Sequence, residues 1–287
     1  MVTLRHFVEV EKMLLKDLFK GVKASQFYFY IITCVLLFLG YFAPINNEIF
    51  KLSKENFDWS QIFTSSFIHA NFEHFYSNLI LFTVVYFLIV LITNNRKDLW
   101  KQFTKYYVPI ILVVSVLNYI GFIMNPLFKN TCGFSDIVTA LIGVLIFFTI
   151  EVLNKDLNLR INYQNTKTTL FFTLYLAATT TVTLVDYIII TSGMSNQLTQ
   201  YSWIITTIII NGLAINYIKD KIKINQIKKY LHKSSKPIIL TVIIILIIGL
   251  PQLSAISIQQ GNIVNGLAHF IGLYTGFFIM YFTQTKY

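Results

Sequence analysis

Charge is scarce in this chain. Asp, Glu, Lys and Arg make up 13% of its 287 residues, while 55% are apolar. Ordinary soluble domains keep about a quarter of their residues charged, so a soluble enzyme is excluded. Cysteine is scarcer still. Cys34 and Cys132 are the only two, too few for a disulfide framework. One lies in the middle of an apolar run and the other at the edge of one, so pairing is not expected. A cleavable signal peptide is not expected either. Residues 1–25 carry charges throughout and have no compact apolar core ahead of a small-residue cleavage site. Acid is short relative to base, 13 residues against 23, for a net charge of +10.

What is abundant is apolar sequence of bilayer length. Mean hydropathy is +0.62, and each crossing needs about 20 mainly apolar residues. Eight spans are expected, at 26–43, 66–93, 106–124, 132–153, 168–191, 201–218, 237–255 and 263–283. Pro44, Asn94-Asn95, Asn125-Pro126, Asn154, Gly193 and Pro237 separate them. Span 201–218 carries Asn211 and Asn216 and also fits a shorter buried helix. Residues 3–23 alternate apolar side chains (Leu4, Phe7, Leu14, Leu18) with charged ones (Arg5, Lys12, Lys16, Lys20) in the pattern of a surface-lying amphipathic helix. The expected organisation is therefore a cytoplasmic N-terminal segment, 1–25, followed by one all-α membrane domain, 26–287.

Charge placement orients the spans. With the N-terminus inside, twenty Lys and Arg fall on the inner side and only Lys51, Lys54 and Lys129 outside. That split obeys the positive-inside rule and gives an N-in, C-in topology. It also accounts for the Lys-rich loop 219–236 as a topology signal. No nucleic-acid partner is expected, and the lipid bilayer is the partner the composition demands.

Chemistry enters with the polar residues inside apolar runs. The run opening at Phe63 contains His69, His74 and Asn78. His74 and Asn78 are four apart and share a helical face. Ionisable groups in hydrocarbon are costly and mark functional sites by default, although Asn and His also serve as interhelical hydrogen-bond glue. The fourth span begins Thr131-Cys132-Gly133-Phe134-Ser135-Asp136, which puts a serine at a helix N-terminus, where free N–H groups can stabilise an oxyanion. The last span carries His269 beside Ala268, Gly272 and Gly276, a four-residue repeat of small residues that admits close helix approach. At about 1.5 Å per residue, His74, Ser135 and His269 share the outer third of the bilayer. A nucleophile, a neutral imidazole and polar donors at one depth suit acyl transfer.

Three separated motifs, in order, resemble those of the rhomboid intramembrane serine proteases. They are His-x4-His-x3-Asn (His69, His74, Asn78), Gly-x-Ser (Gly133, Ser135) and Ala-His-x2-Gly-x3-Gly (Ala268, His269, Gly272, Gly276). The resemblance implies a six-helix core with Ser135 as nucleophile and His269 as base. It implies an oxyanion hole built from His74, Asn78 and the Ser135 N–H, with His69, Gly133 and Gly272 as supports. It implies single-pass transmembrane proteins as substrates, cleavage near the outer face, no cofactor and no metal, and a multi-pass position in the plasma membrane of a prokaryote.

The chain departs from that pattern in four places. Asp136 stands where the family often has Gly, Thr139 where many members have an aromatic residue, and Trp59 is followed by Ser60 in place of Arg. Three spans separate Ser135 from His269, against one in the common core. Both numbers are odd, so His269 stays on the serine's side. The stretch 257–269 resembles the family's gate loop, so 237–255 is the expected core fifth helix and 168–218 an inserted transmembrane hairpin. Two other readings remain open: an inactive rhomboid-like protein that binds or escorts membrane proteins, and a metal site or transporter using His69, Glu73, His74 and His269. Asp186 in the hairpin reads as a buried, hydrogen-bonded acid.

Overall fold

A computed structural model of the chain describes residues 22–42, 49–69, 71–94, 96–124, 130–157, 258–259, 262–263 and 266–284. The amphipathic stretch 3–23 up to residue 21, the hairpin 168–218, span 237–255 and Asp186 lie outside the described residues. The remainder is mostly helical: α1 (Tyr28–Phe42), the short α2 (Gln61–Thr64), α3 (Phe72–Thr93), α4 (Lys97–Met124), α5 (Ser135–Leu157) and α6 (Gly266–Gln284). Among the described residues, four segments are long and apolar enough to cross a membrane, Ala24–Phe42, Phe72–Thr93, Lys97–Met124 and Ser135–Asp156. The chain is a membrane protein of helical class.

α5 is the central post. Most of its apolar length is buried inside the protein, whereas most of the first span is exposed. α3, α4 and α6 all pack on it. A helix apolar on every side belongs in the interior, and α5 supplies Ile137, Val138, Leu141, Val144, Leu145, Phe147 and Phe148 to the core. The outer helices expose apolar stripes instead. On α3 these are Phe72, Tyr76, Ile80 and Val84; on α4, Val108, Leu112, Val116 and Ile120. A spacing of four keeps each stripe on one face, and lipid is the environment in which such a face is stable.

Polar ties fix the packing where apolar contact alone is not directional. Tyr86 of α3 donates to the Gln26 carbonyl at 2.8 Å, and Thr33 of α1 is 2.7 Å from the Tyr107 hydroxyl of α4. Gln102 of α4 donates to the Met280 carbonyl and the Thr283 hydroxyl of α6, both at 2.8 Å. At one end of the bundle Arg96 holds Asp156 through both carboxylate oxygens, and Lys155 reaches Asp98 at 2.6 Å. These pairs are partly exposed, so each is worth about 0–1 kcal/mol. Their value is in marking where α4 begins and α5 ends.

The other end carries the loop between α1 and α3, organised by buried Gln61. Its amide donates to the Ile49 and Asn56 carbonyls at 2.8 and 3.0 Å and accepts from the Ser53 N–H. β1 (Leu52–Ser53) pairs antiparallel with β2 (Asn130–Thr131), stitching this loop to the residues just before α5. A second two-residue pair, β3 (Ile258–Gln259) with β4 (Asn262–Ile263), precedes α6 within the stretch likened to a gate loop.

Two boundaries differ from expectation. The second span was expected to be helical from residue 66, but α3 starts at Phe72. Asn71 is its N-cap, in extended conformation, accepting from the His74 N–H at 2.8 Å. A short-side-chain cap satisfies an orphan N–H and halts the helix there. His69 is thus in a connecting segment and not, as the span 66–93 implied, on the helix that carries His74 and Asn78. The third span was expected from residue 106, but α4 runs from Lys97, carrying Lys97, Asp98, Lys101 and Lys105 on turns beyond the apolar part.

Candidate active site

The site is assembled from the segment before α3, the first turn of α3, the residues leading into α5 and the first turns of α6. Because Asn71 caps α3, His74 occupies the third helical position with its ring held toward the bundle. There it lies on Gly133. A Cβ built at Gly133 would sit 2.6 Å from His74 Cε1 and 3.0 Å from Nε2. Gly133 also has φ +131°, a conformation open to glycine and few others. Its N–H donates to the Ser65 carbonyl at 3.0 Å, locking this turn to the loop ahead of His69. The glycine of Gly-x-Ser therefore has two separate reasons to be glycine.

Phe134 follows as the last residue before the helix, buried between Phe67 and Phe82 at 5.6 and 5.4 Å. Its carbonyl accepts from Val138, so Ser135 is the first helical residue. The Ser135 N–H belongs to the unsatisfied first turn, two residues beyond the glycine that His74 covers. Ser135 is half-buried, placing it at a boundary between packed protein and an accessible space.

His69 and His74 are neighbours across the cap, with ring centroids 5.2 Å apart and planes nearly perpendicular. His69 is buried, and Phe75 closes its other side at 5.5 Å. Neither His69 ring nitrogen completes a hydrogen bond. Burial, with the His74 ring adding to it, lowers the His69 pKa to about 4, and the nearby Phe67 carbonyl offsets this only in part. His69 is neutral at physiological pH. Asn78, one turn beyond His74 on α3, is buried with its amide nitrogen unpartnered. A buried donor without an acceptor costs about 1–3 kcal/mol, a cost that a bound oxyanion would relieve.

α6 meets α5 in parallel. Gly272 lies against the Asp136 carbonyl and the Thr139 hydroxyl, and Gly276 against the Ala140 carbonyl. From the other side, Gly143 of α5 lies against the Leu273 carbonyl and the Phe277 N–H. A side chain at any of these glycines would overlap backbone. The contacts climb both helices together, so His269, one turn before Gly272, is level with the residues around Ser135. His269 is half-buried like Ser135.

The structure thus brings His69, His74 and Gly133 together by contact and seats Gly272 on the first turn of α5. It sets Ser135 and His269 at one level on adjoining helices. It leaves the Asn78 amide nitrogen unjoined to any of them. Glu73 is exposed, and among the described residues no three His, Cys, Asp or Glu side chains gather as metal ligands do. Cys34 and Cys132 are both half-buried. Three participants escaped the sequence reading: Ala140 and Gly143, which complete the seam from the α5 side, and Asn118, whose amide donates to the Asp136 carboxylate. The spacing of Ala140 and Gly143 was visible, but within an unbroken apolar run it had no partner to point to. No family model, curated protein or solved structure matches the chain.

Proposed function

We propose that this protein is an intramembrane serine endopeptidase of the rhomboid kind, with Ser135 as nucleophile and His269 as base. The observation that carries the reading is the parallel glycine seam, which sets His269 beside the start of α5 while His74 covers Gly133 two residues before the serine. A neutral imidazole takes the Ser135 Oγ proton as the oxygen attacks a substrate carbonyl. His74, the Asn78 amide and the Ser135 N–H are the donors for the resulting oxyanion. His269 then returns the proton to the leaving amine, and water releases the acyl group by the same steps. Substrates on this reading are single-pass membrane proteins cut near the outer face. The six-helix core, the inserted hairpin 168–218, the N-in, C-in orientation and residence in a prokaryotic plasma membrane belong to the same proposal.

A fluorophosphonate probe tests it, because it reacts with an activated serine and not with an ordinary hydroxyl. Labelling of the wild type and its loss in Ser135→Ala support the reading. Equal labelling of both, or none of either, leaves the inactive, binding form as the better account. Gly133→Ala carries a further expectation. The new methyl group meets both the positive φ and the His74 ring, so the approach to Ser135 distorts. Labelling is expected to slow on the order of 100-fold, the scale of a 1 Å misplacement; a rate within threefold of wild type would argue against His74 as part of the site.

Topology is checked separately. Twenty inner and three outer basic residues require loop 219–236 to face the cytoplasm. Gln226→Cys is expected to react with a membrane-impermeant maleimide only after the cells are opened. Labelling in intact cells would reverse the assigned orientation.

A further inference from the structure

The residue after the proposed nucleophile is a buried acid. Asp136 is 6% exposed, and among the described residues no cation pairs with it. Its carboxyl is instead held by neutral donors. Oδ1 accepts from the Ile137 N–H at 2.7 Å. Oδ2 accepts from the Asn118 amide of α4 in a short hydrogen bond. The Ser66 hydroxyl also lies within its reach. The Asp136 carbonyl accepts from Thr139 at 2.8 Å and forms the surface on which Gly272 rests. One residue therefore joins the first turn of α5 to α4 through its side chain and to α6 through its backbone.

A buried carboxyl costs several kcal/mol unless well satisfied, and a glycine or alanine here would avoid that cost. Asp136 is also adjacent to Ser135, so whatever fixes its backbone fixes the serine's. The tie to Asn118 restrains the first turn of α5 on its α4 side, as Gly272 does on its α6 side. Helix ends fray most readily at this turn, where N–H groups lack intrahelical partners.

We propose that Asp136 and Asn118 are a positioning pair that holds the first turn of α5, and with it Ser135 Oγ and N–H, in register with His269. The inference rests on the serine-protease reading. Neither residue touches the reacting atoms; both act through the placement of Ser135.

The measurement is the rate of fluorophosphonate labelling at Ser135 as a function of probe concentration, in detergent-purified full-length protein. Asn118→Leu removes the donor, and Asn118→Asp sets two carboxyls face to face. Each is expected to lower the maximal labelling rate on the order of 100-fold with the half-saturating concentration within threefold of wild type. The exchange Asn118→Asp with Asp136→Asn restores an amide–carboxylate pair in reverse and still leaves an acceptor for the Ile137 N–H. It is expected to bring the rate back to within about tenfold of wild type. An exchange variant as slow as Asn118→Asp alone overturns the pair, as does wild-type labelling by Asn118→Leu. If Asn118→Leu does not fold, the comparison of Asn118→Asp with the exchange decides. A wild type that never labels at Ser135 removes the protease reading itself, a result distinct from a wild type that labels and an exchange that fails to rescue.

Discussion

Ser135→Ala and His269→Ala are each expected to abolish cleavage of a transmembrane substrate, and the double variant to be no worse than either. Losing one member of a nucleophile–base unit typically costs on the order of 10⁴-fold or more, because the remaining member has nothing to act on. Non-additivity is the diagnostic part. Two residues that merely support the fold at separate points would add their effects, and α5 and α6 touch along enough length for separate support to be a serious rival. Asn78→Ala should behave differently from both. An oxyanion donor is worth roughly 10²–10³-fold, and His74 and the Ser135 N–H would remain. Full cleavage by His269→Ala, or a double variant far worse than the singles, would remove the dyad. The same substrates incubated with chelator should be cut at an undiminished rate, since no metal enters the proposed steps.

The membrane-spanning helices were legible in the sequence because hydrocarbon thickness imposes a length that few other features share. Ala24–Phe42 and Ser135–Asp156 fall within a few residues of where hydropathy alone puts them, and the second span ends where expected, at Thr93. The errors are at ends, where local capping outranks composition. The apolar run containing His69 gave no hint that Asn71 would stop the helix, although Asn three residues ahead of a first-turn side chain is an ordinary N-cap pattern. The start of α4 at Lys97 was hidden because a helix can continue past the bilayer surface on charged turns.

The site was legible to the extent that it is written in residue types. Glycines at 133, 272 and 276 each mark a backbone approach that the structure contains. Three things were out of reach. The pairing of Leu52–Ser53 with Asn130–Thr131 involves two residues on each side, too short for any strand pattern. The Ser65 carbonyl that receives the Gly133 N–H offers only a main-chain atom, and main-chain atoms have no signature in sequence. Asn118 looked like one more polar residue in an apolar run; its meaning depends on which face of α4 turns toward Asp136.

Gly272→Val is expected to damage catalysis nearly as much as the loss of His269 while leaving the protein inserted. Even the first carbon of a side chain at 272 meets the Asp136 carbonyl and the Thr139 hydroxyl at overlap distance. Backbone cannot swing aside as a side-chain end can, so α6 must move as a body away from the start of α5. Overpacking of this sort costs typically 1–3 kcal/mol, which a bundle tied also through Gln102 to Met280 and Thr283 can absorb. Insertion depends on hydropathy, which valine does not reduce. Catalysis has no such tolerance, because about 1 Å at a reacting pair is worth on the order of 100-fold, and a valine demands more room than that. Gly272→Ala already brings the offending carbon, so it should be slow too, less so than valine. Gly276→Val, one turn further along, tilts α6 against Ala140 and should slow the reaction while sparing some of it, since the helix can pivot there. The order expected in cleavage assays is wild type, then Gly272→Ala and Gly276→Val, then Gly272→Val, all at equal amounts of membrane-extracted protein. Wild-type cleavage by Gly272→Val would mean that α6 does not need to rest on the Asp136 carbonyl for His269 to reach the serine, and the seam would lose its part in the mechanism.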